Sequence, residues 1–176
     1  MIVQNLNMKN KGFTLLEVIL YVAVVSIVAL AVTSIASSVN SGQGRTMAES
    51  AVNSTLRFVT NRVDQDIRSA SSVTTPSSAG SSSATLVLVV GTDTVTYSIS
   101  NNQLVRQLNS EQQVALTGNN IKVTSINFTL NKNTNAFLSS GVSTITSVTM
   151  SVSAAYNSNS SDLQYSSTKT ITEILQ

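Results

Sequence analysis

The chain has 176 residues, enough for one globular domain of modest core and one further element. It contains no His, Cys or Trp, which excludes His-based acid–base catalysis, thiol nucleophiles, disulfides and the usual zinc ligand sets. Charged residues make up only 10 %, whereas 30 Ser, 21 Thr and 17 Asn point to a surface rich in hydroxyls and amides.

The net charge of +2 is carried by the start of the chain: Lys9 and Lys11 stand before Gly12. After Gly12 eight cations (Arg45, Arg57, Arg62, Arg68, Arg106, Lys122, Lys132, Lys169) face eight anions (Glu17, Glu49, Asp64, Asp66, Asp93, Glu111, Asp162, Glu173). A basic isoelectric point is therefore no argument for nucleic-acid binding, since the rest of the chain carries no net field to release counterions from a phosphate backbone.

Between Glu17 and Arg45 lie 27 uncharged residues, and 18–32 (VILYVAVVSIVALAV) is almost wholly apolar. Extended to Ala36, the run reaches the ~20 residues that cross about 30 Å of hydrocarbon as a helix. Cations precede this segment closely and follow it only at Arg45, so the positive-inside bias puts the N-terminus in the cytoplasm and exports the remainder. Glu17 stands at the start of the run, where a carboxylate costs on the order of a few kcal/mol in lipid unless paired, protonated or close to the interface. Two readings of the residue itself stand open: an interfacial carboxylate favoured by the helix dipole, or one that awaits a cationic partner.

Residues 11–22, KGFTLLEVILYV, resemble the type IV prepilin signature: a short basic leader ending in Gly, then Phe, a Thr-Leu-Leu run, Glu and a long apolar helix. On these residues the chain is identified as a member of the type IV pilin and type II secretion pseudopilin superfamily. The resemblance implies cleavage between Gly12 and Phe13 by a prepilin peptidase, removal of leader 1–12 with Lys9 and Lys11, and N-methylation of Phe13. It also implies that Glu17 pairs with the terminal amine of a neighbouring subunit during assembly. The implied partners are the peptidase, other pilin or pseudopilin subunits, an inner-membrane assembly platform and membrane lipid. Two rival schemes remain: cleavage at the small-x-small stretch Ser34-Ile35-Ala36, as in a secretory signal peptide, or a permanent uncleaved anchor.

Beyond the apolar run, 37–44 is a small-residue stretch whose Gly42 and Gly44 are expected points of bending. Ala48, Val52, Leu56, Val59, Val63, Ile67 and Ala70 then recur at spacings of three and four, which traces one apolar stripe along a helix. Arg45 with Glu49, Arg62 with Asp66 and Asp64 with Arg68 fall four apart and are expected to pair on the solvated face. A nearly continuous helix from residue 13 to about 69 would span roughly 85 Å. Many pilins kink this helix at a proline; the only proline here is Pro76.

Residues 69–83 are dense in Ser, Thr, Gly and Pro and read as a loop. Seven strand candidates follow at 84–90, 93–100, 103–108, 113–116, 121–130, 142–156 and 165–174, with Asn101-Asn102 as a tight turn. Val123, Ile126, Phe128 and Leu130 do not share one parity, which requires a bulge near Ser125. The expected fold class is α+β: a long N-terminal helix, membrane stem at 13–44 and amphipathic at 45–70, then a loop at 71–83, with the amphipathic part packed on an antiparallel β head at 84–176. Within the superfamily, the strand-rich head with its turn-Gln-Leu-Val-Arg strand looks most like minor pilins and J-type pseudopilins.

For chemistry in the head, a Ser nucleophile would need Lys122, Lys132 or Lys169 as base, yet all three read as solvent-facing. The acids Asp93, Glu111, Asp162 and Glu173 form no calcium-loop spacing. Tyr97, Phe128, Phe137, Tyr156 and Tyr165 read as core and cross-strand partners before they read as a stacking platform for single-stranded DNA; Arg106 is the cation such a platform would use first. The expected function is structural: a minor pilin or pseudopilin of a pilus, secretion or competence system, with no enzymatic activity, no cofactor and no metal. The alternative is a membrane-anchored surface binding module, an adhesin or DNA receptor, that is neither cleaved nor polymerised.

Overall fold

The structure, a computed structural model, describes residues 13–135 and 143–175, without the side chains of Asn135, Ser143 and Asp162. Among the described residues are one long helix, nine β-strands and a short 3-10 helix (Ser161–Leu163): α1 (Leu15–Arg68), β1 (Ser72–Thr75), β2 (Ser82–Ser83), β3 (Leu86–Val90), β4 (Asp93–Ser100), β5 (Gln103–Leu108), β6 (Val114–Ala115), β7 (Ile121–Asn135), β8 (Ser143–Tyr156) and β9 (Ser166–Ile174). The chain divides into two compact units, Met1–Ser41 and Gly42–Gln176, and α1 contributes to both.

In the first unit the helix begins at a side-chain cap from Thr14. Thr14 Oγ1 accepts a hydrogen bond from the Glu17 backbone N–H at 3.3 Å, which satisfies one of the four donors that a helix start leaves open. The apolar side chains that follow stay exposed, Leu16 and Leu30 at 77 % and 73 %. Its hydroxyls turn back on the helix itself: Ser26 donates to the Val22 carbonyl (2.7 Å), Thr33 to Ala29 (2.9 Å) and Ser37 to Thr33 (3.0 Å). These three hydroxyls are thus satisfied without water, as hydrocarbon favours.

In the second unit, Ala48, Val52, Leu56, Val59, Val63 and Ile67 are buried, with Ala70 just past the helix end, so the stripe forms one side of the core. The β part is two antiparallel sheets, where one was expected. Their orders are β1-β3-β4-β5-β6 and β2-β7-β8-β9. Leu86, Leu88, Val95, Tyr97 and Leu104 of the first and Phe128, Leu130, Val148 and Met150 of the second join the helix stripe in one core cluster. The α+β class, a long helix packed on antiparallel sheet, is as expected.

Residues 71–83, expected as a loop, hold two short edge strands. Serines and threonines there have no apolar alternation to announce a strand; pairing of β1 with β3 and of β2 with β7 creates it. Asn101 and Asn102 both have positive φ (51° and 60°) and close β4 onto β5 with the two-residue turn that suits hairpin twist. The register of β7 on β8 shifts between Val123 and Ser125, which lets Ile121 and Val123 face the core together with Ile126, Phe128 and Leu130. The expected flexibility at Gly42 and Gly44 gives way to continuous helix. Leu163 Cδ2 lies 2.8 Å from where a Cβ at position 44 would stand, so Gly44 serves a close approach.

Candidate functional site

The sequence-predicted assembly residues lie at the start of α1. Gly12, Lys9 and Lys11 are outside the described residues. Phe13 is 74 % exposed, and its ring meets the edge of Tyr21 in a T-shaped contact, centroids 6.5 Å apart. Glu17 sits in the first turn of the helix, half-buried, and among the described residues its carboxylate has no hydrogen-bond or ion-pair partner. The Thr14 cap engages only its backbone N–H and leaves the side chain available. From Glu17 onward the helix is long and apolar enough to cross a membrane, and none of that apolar window is buried within the chain.

The prokaryotic N-terminal methylation motif matches residues 7–33, which include Gly12, Phe13, Glu17 and the first half of the apolar helix. This motif supports a place in the type IV pilin and pseudopilin family. The prepilin motif implies processing by a prepilin peptidase and assembly with other pilin subunits, and together with the apolar helix it fits a pilin anchored in the inner membrane. The family is one of structural subunits. No curated protein and no solved structure matches the chain.

In the head, two polar contacts tie α1 to the sheets, and neither is the solvated pairing expected. Asp66 is 7 % exposed; its Oδ2 accepts a hydrogen bond from the Tyr97 hydroxyl at 2.6 Å and another from Arg106 Nε at 2.7 Å. Arg62, the partner expected four residues away, is only 3.8 Å from Oδ1 at a more exposed position. The signal was present in the sequence. Position 66 follows Val63 by three and precedes Ala70 by four, so it lies on the apolar stripe, where a carboxylate must find partners. Burial, followed by the Asp66 hydrogen bond and charge, raises the Tyr97 hydroxyl far above its ordinary value of 10.0. Arg106, the cation a DNA platform would use first, is bound to Asp66 from the first sheet.

At the helix end Arg68 donates to Asp64 (2.7 Å) as expected and also to Glu173 of β9 (2.6 Å). Of the three lysines read as solvent-facing, Lys122 and Lys132 are exposed; Lys169 is half-buried, on the face of β9 that also carries Ile171 and Glu173. Tyr97 and Phe128 are core residues, Tyr156 and Tyr165 pack partly buried against it, and Phe137 lies outside the described residues. Among the acids, Asp93 accepts from Asn109 Nδ2 at 2.9 Å and Glu173 is engaged by Arg68. The Asp162 side chain is outside the described ones. Among the described residues no three such groups gather as a metal site.

Proposed function

We propose that the chain is a minor pilin or pseudopilin, cut by the prepilin peptidase between Gly12 and Phe13, N-methylated at Phe13 and assembled through α1 into a type IV pilus or a type II secretion or competence pseudopilus. The observation that carries this reading is the coincidence of the matched motif at 7–33 with a helix start whose apolar side chains stay exposed. Such a surface is stable in lipid, and among the like helices of neighbouring subunits it is stable outside lipid as well.

Within this reading Glu17 is the residue of assembly. Its unpartnered carboxylate meets the methylated amine of a neighbouring Phe13, so that charge pairing offsets the desolvation of both groups. The N-terminus is cytoplasmic before assembly, and the head is periplasmic or extracellular.

The test is the N-terminal sequence and intact mass of membrane-derived protein from cells with and without an active prepilin peptidase. A chain that begins at N-methylated Phe13 only when the peptidase is active supports the reading. A chain that begins at Met1 in both sinks it in favour of an uncleaved anchor, and one that begins near Ser37 sinks it in favour of ordinary secretion.

A further inference from the structure

The seam between α1 and β9 is closed at one end by opposite charges and at the other faces like charges. Near the C-terminal end of α1, Arg68 reaches Glu173 at 2.6 Å. Toward the start of β9 the same seam opens into a cleft of about 340 Å³ lined by Asn53, Leu56, Arg57, Ser167, Thr168 and Lys169. Arg57 and Lys169 approach it from the helix and from the strand, and among the described residues neither has an acidic partner. Lys169 could have stood on the outer face of β9 with Thr168 and Thr170; the register puts it on the inner one. The nearest acid in sequence on the helix side is Glu49, one turn before Asn53, and it is exposed. Asp64 and Glu173 are both held by Arg68 at the other end.

We propose that this cleft binds a phosphate group. Two cations on one cleft, Arg57 exposed and Lys169 half-buried, favour an anion between them, and they match the charge of about −1.5 to −2 on a phosphate monoester near neutral pH better than that of a carboxylate. Guanidinium and ammonium donors, with the Ser167 hydroxyl and one N–H of Asn53 beside them, suit a ligand that offers three oxygens. The Thr168 hydroxyl takes no part, because it bonds Ser153 on the outer face at 2.7 Å. The phosphate is either free or the headgroup of a lipid. The inference stands on the head alone and does not depend on filament assembly.

The experiment uses the full chain in uncharged detergent micelles, titrated with inorganic phosphate against chloride at constant ionic strength, with binding read by calorimetry. Saturable phosphate binding, weakened about tenfold or more in Arg57→Gln and in Lys169→Gln, retained in Lys169→Arg and in the exposed control Lys122→Gln, is expected for a free phosphate. If inorganic phosphate does not bind, the chain is placed in phosphatidylcholine vesicles with and without phosphatidic acid, and the phosphorus resonance of the latter is followed. A perturbation lost in Arg57→Gln and Lys169→Gln identifies the headgroup as the source. A response equal for chloride and phosphate, or one insensitive to both substitutions in both settings, overturns the proposal.

Discussion

Asp66 shows how one side chain on an apolar stripe is kept stable by what it faces. Its carboxylate is desolvated, and two donors from strands far along the chain replace the lost water. Asp66→Ala therefore leaves the Arg106 guanidinium and the Tyr97 hydroxyl without their partner, and should destabilise the head by about 3–5 kcal/mol in urea unfolding of the full chain in micelles. Tyr97→Phe, which removes one hydrogen bond to a charged acceptor and leaves the Arg106 contact, should cost about 1.5–3 kcal/mol. The pH dependence has a definite sign. The folded chain holds the Tyr97 proton above the ordinary value of 10.0, so from about pH 10 upward the unfolded chain binds fewer protons than the folded one. This contribution to stability is fully present below pH 10 and falls above it by about 1.4 kcal/mol per pH unit. Thermal unfolding across pH 8 to 11 should show the fall in the parent chain and its absence in Tyr97→Phe. Asp66 was legible as an acid four residues from Arg62, but its partners were not, because nothing local brings residues 66, 97 and 106 together.

At the scale of elements, α1 is specified by its own residues almost throughout. Thr14 and Glu17 define the start, the apolar run and the later stripe give the period, and Arg68 in the last turn suits the negative end of the helix dipole. The two glycines, read as places to bend, differ in what surrounds them. A Cβ at Gly42 meets nothing within 4 Å, so Gly42→Ala should stabilise the helix by about 0.5–1 kcal/mol, the usual difference in helix propensity. Gly44→Ala should gain less or lose, because Leu163 must shift; thermal unfolding of the two variants side by side reads the difference. Of the strands, those with alternating or apolar runs were visible in sequence with boundaries shifted by at most two residues, except β7, which runs five residues past its expected end to Asn135, and the bulge near Ser125 was visible too. Strands β1 and β2 were not visible, since a Ser- and Thr-rich segment becomes a strand only when a neighbour offers it a free edge.

For the whole molecule, the decisive fact is an apolar helix surface that its own chain does not cover. The full chain should stay with the membrane fraction under alkaline carbonate, and a lipid-soluble photoreactive probe should label residues within 15–36 in preference to the head. Glu17→Ala should leave peptidase processing intact and abolish recovery of the subunit from sheared filaments, a pair of readouts that separates an assembly defect from a folding or cleavage defect.

The sequence by itself determined what depends on neighbours along the chain: the prepilin signature at 11–22, the membrane-length apolar run, the helical stripe from Ala48 to Ala70, the hairpin turn at Asn101-Asn102 and the parity break in β7. Each is a local pattern whose physical meaning is set by helix or strand periodicity and by the cost of placing charge in lipid. Tertiary structure alone decided that the strands divide into two sheets, that Asp66 turns inward to Tyr97 and Arg106, that Arg68 reaches Glu173, and that Lys169 faces Arg57 across a cleft. These contacts join residues tens to more than a hundred positions apart. Register and packing choose their partners, and no local spacing encodes that choice.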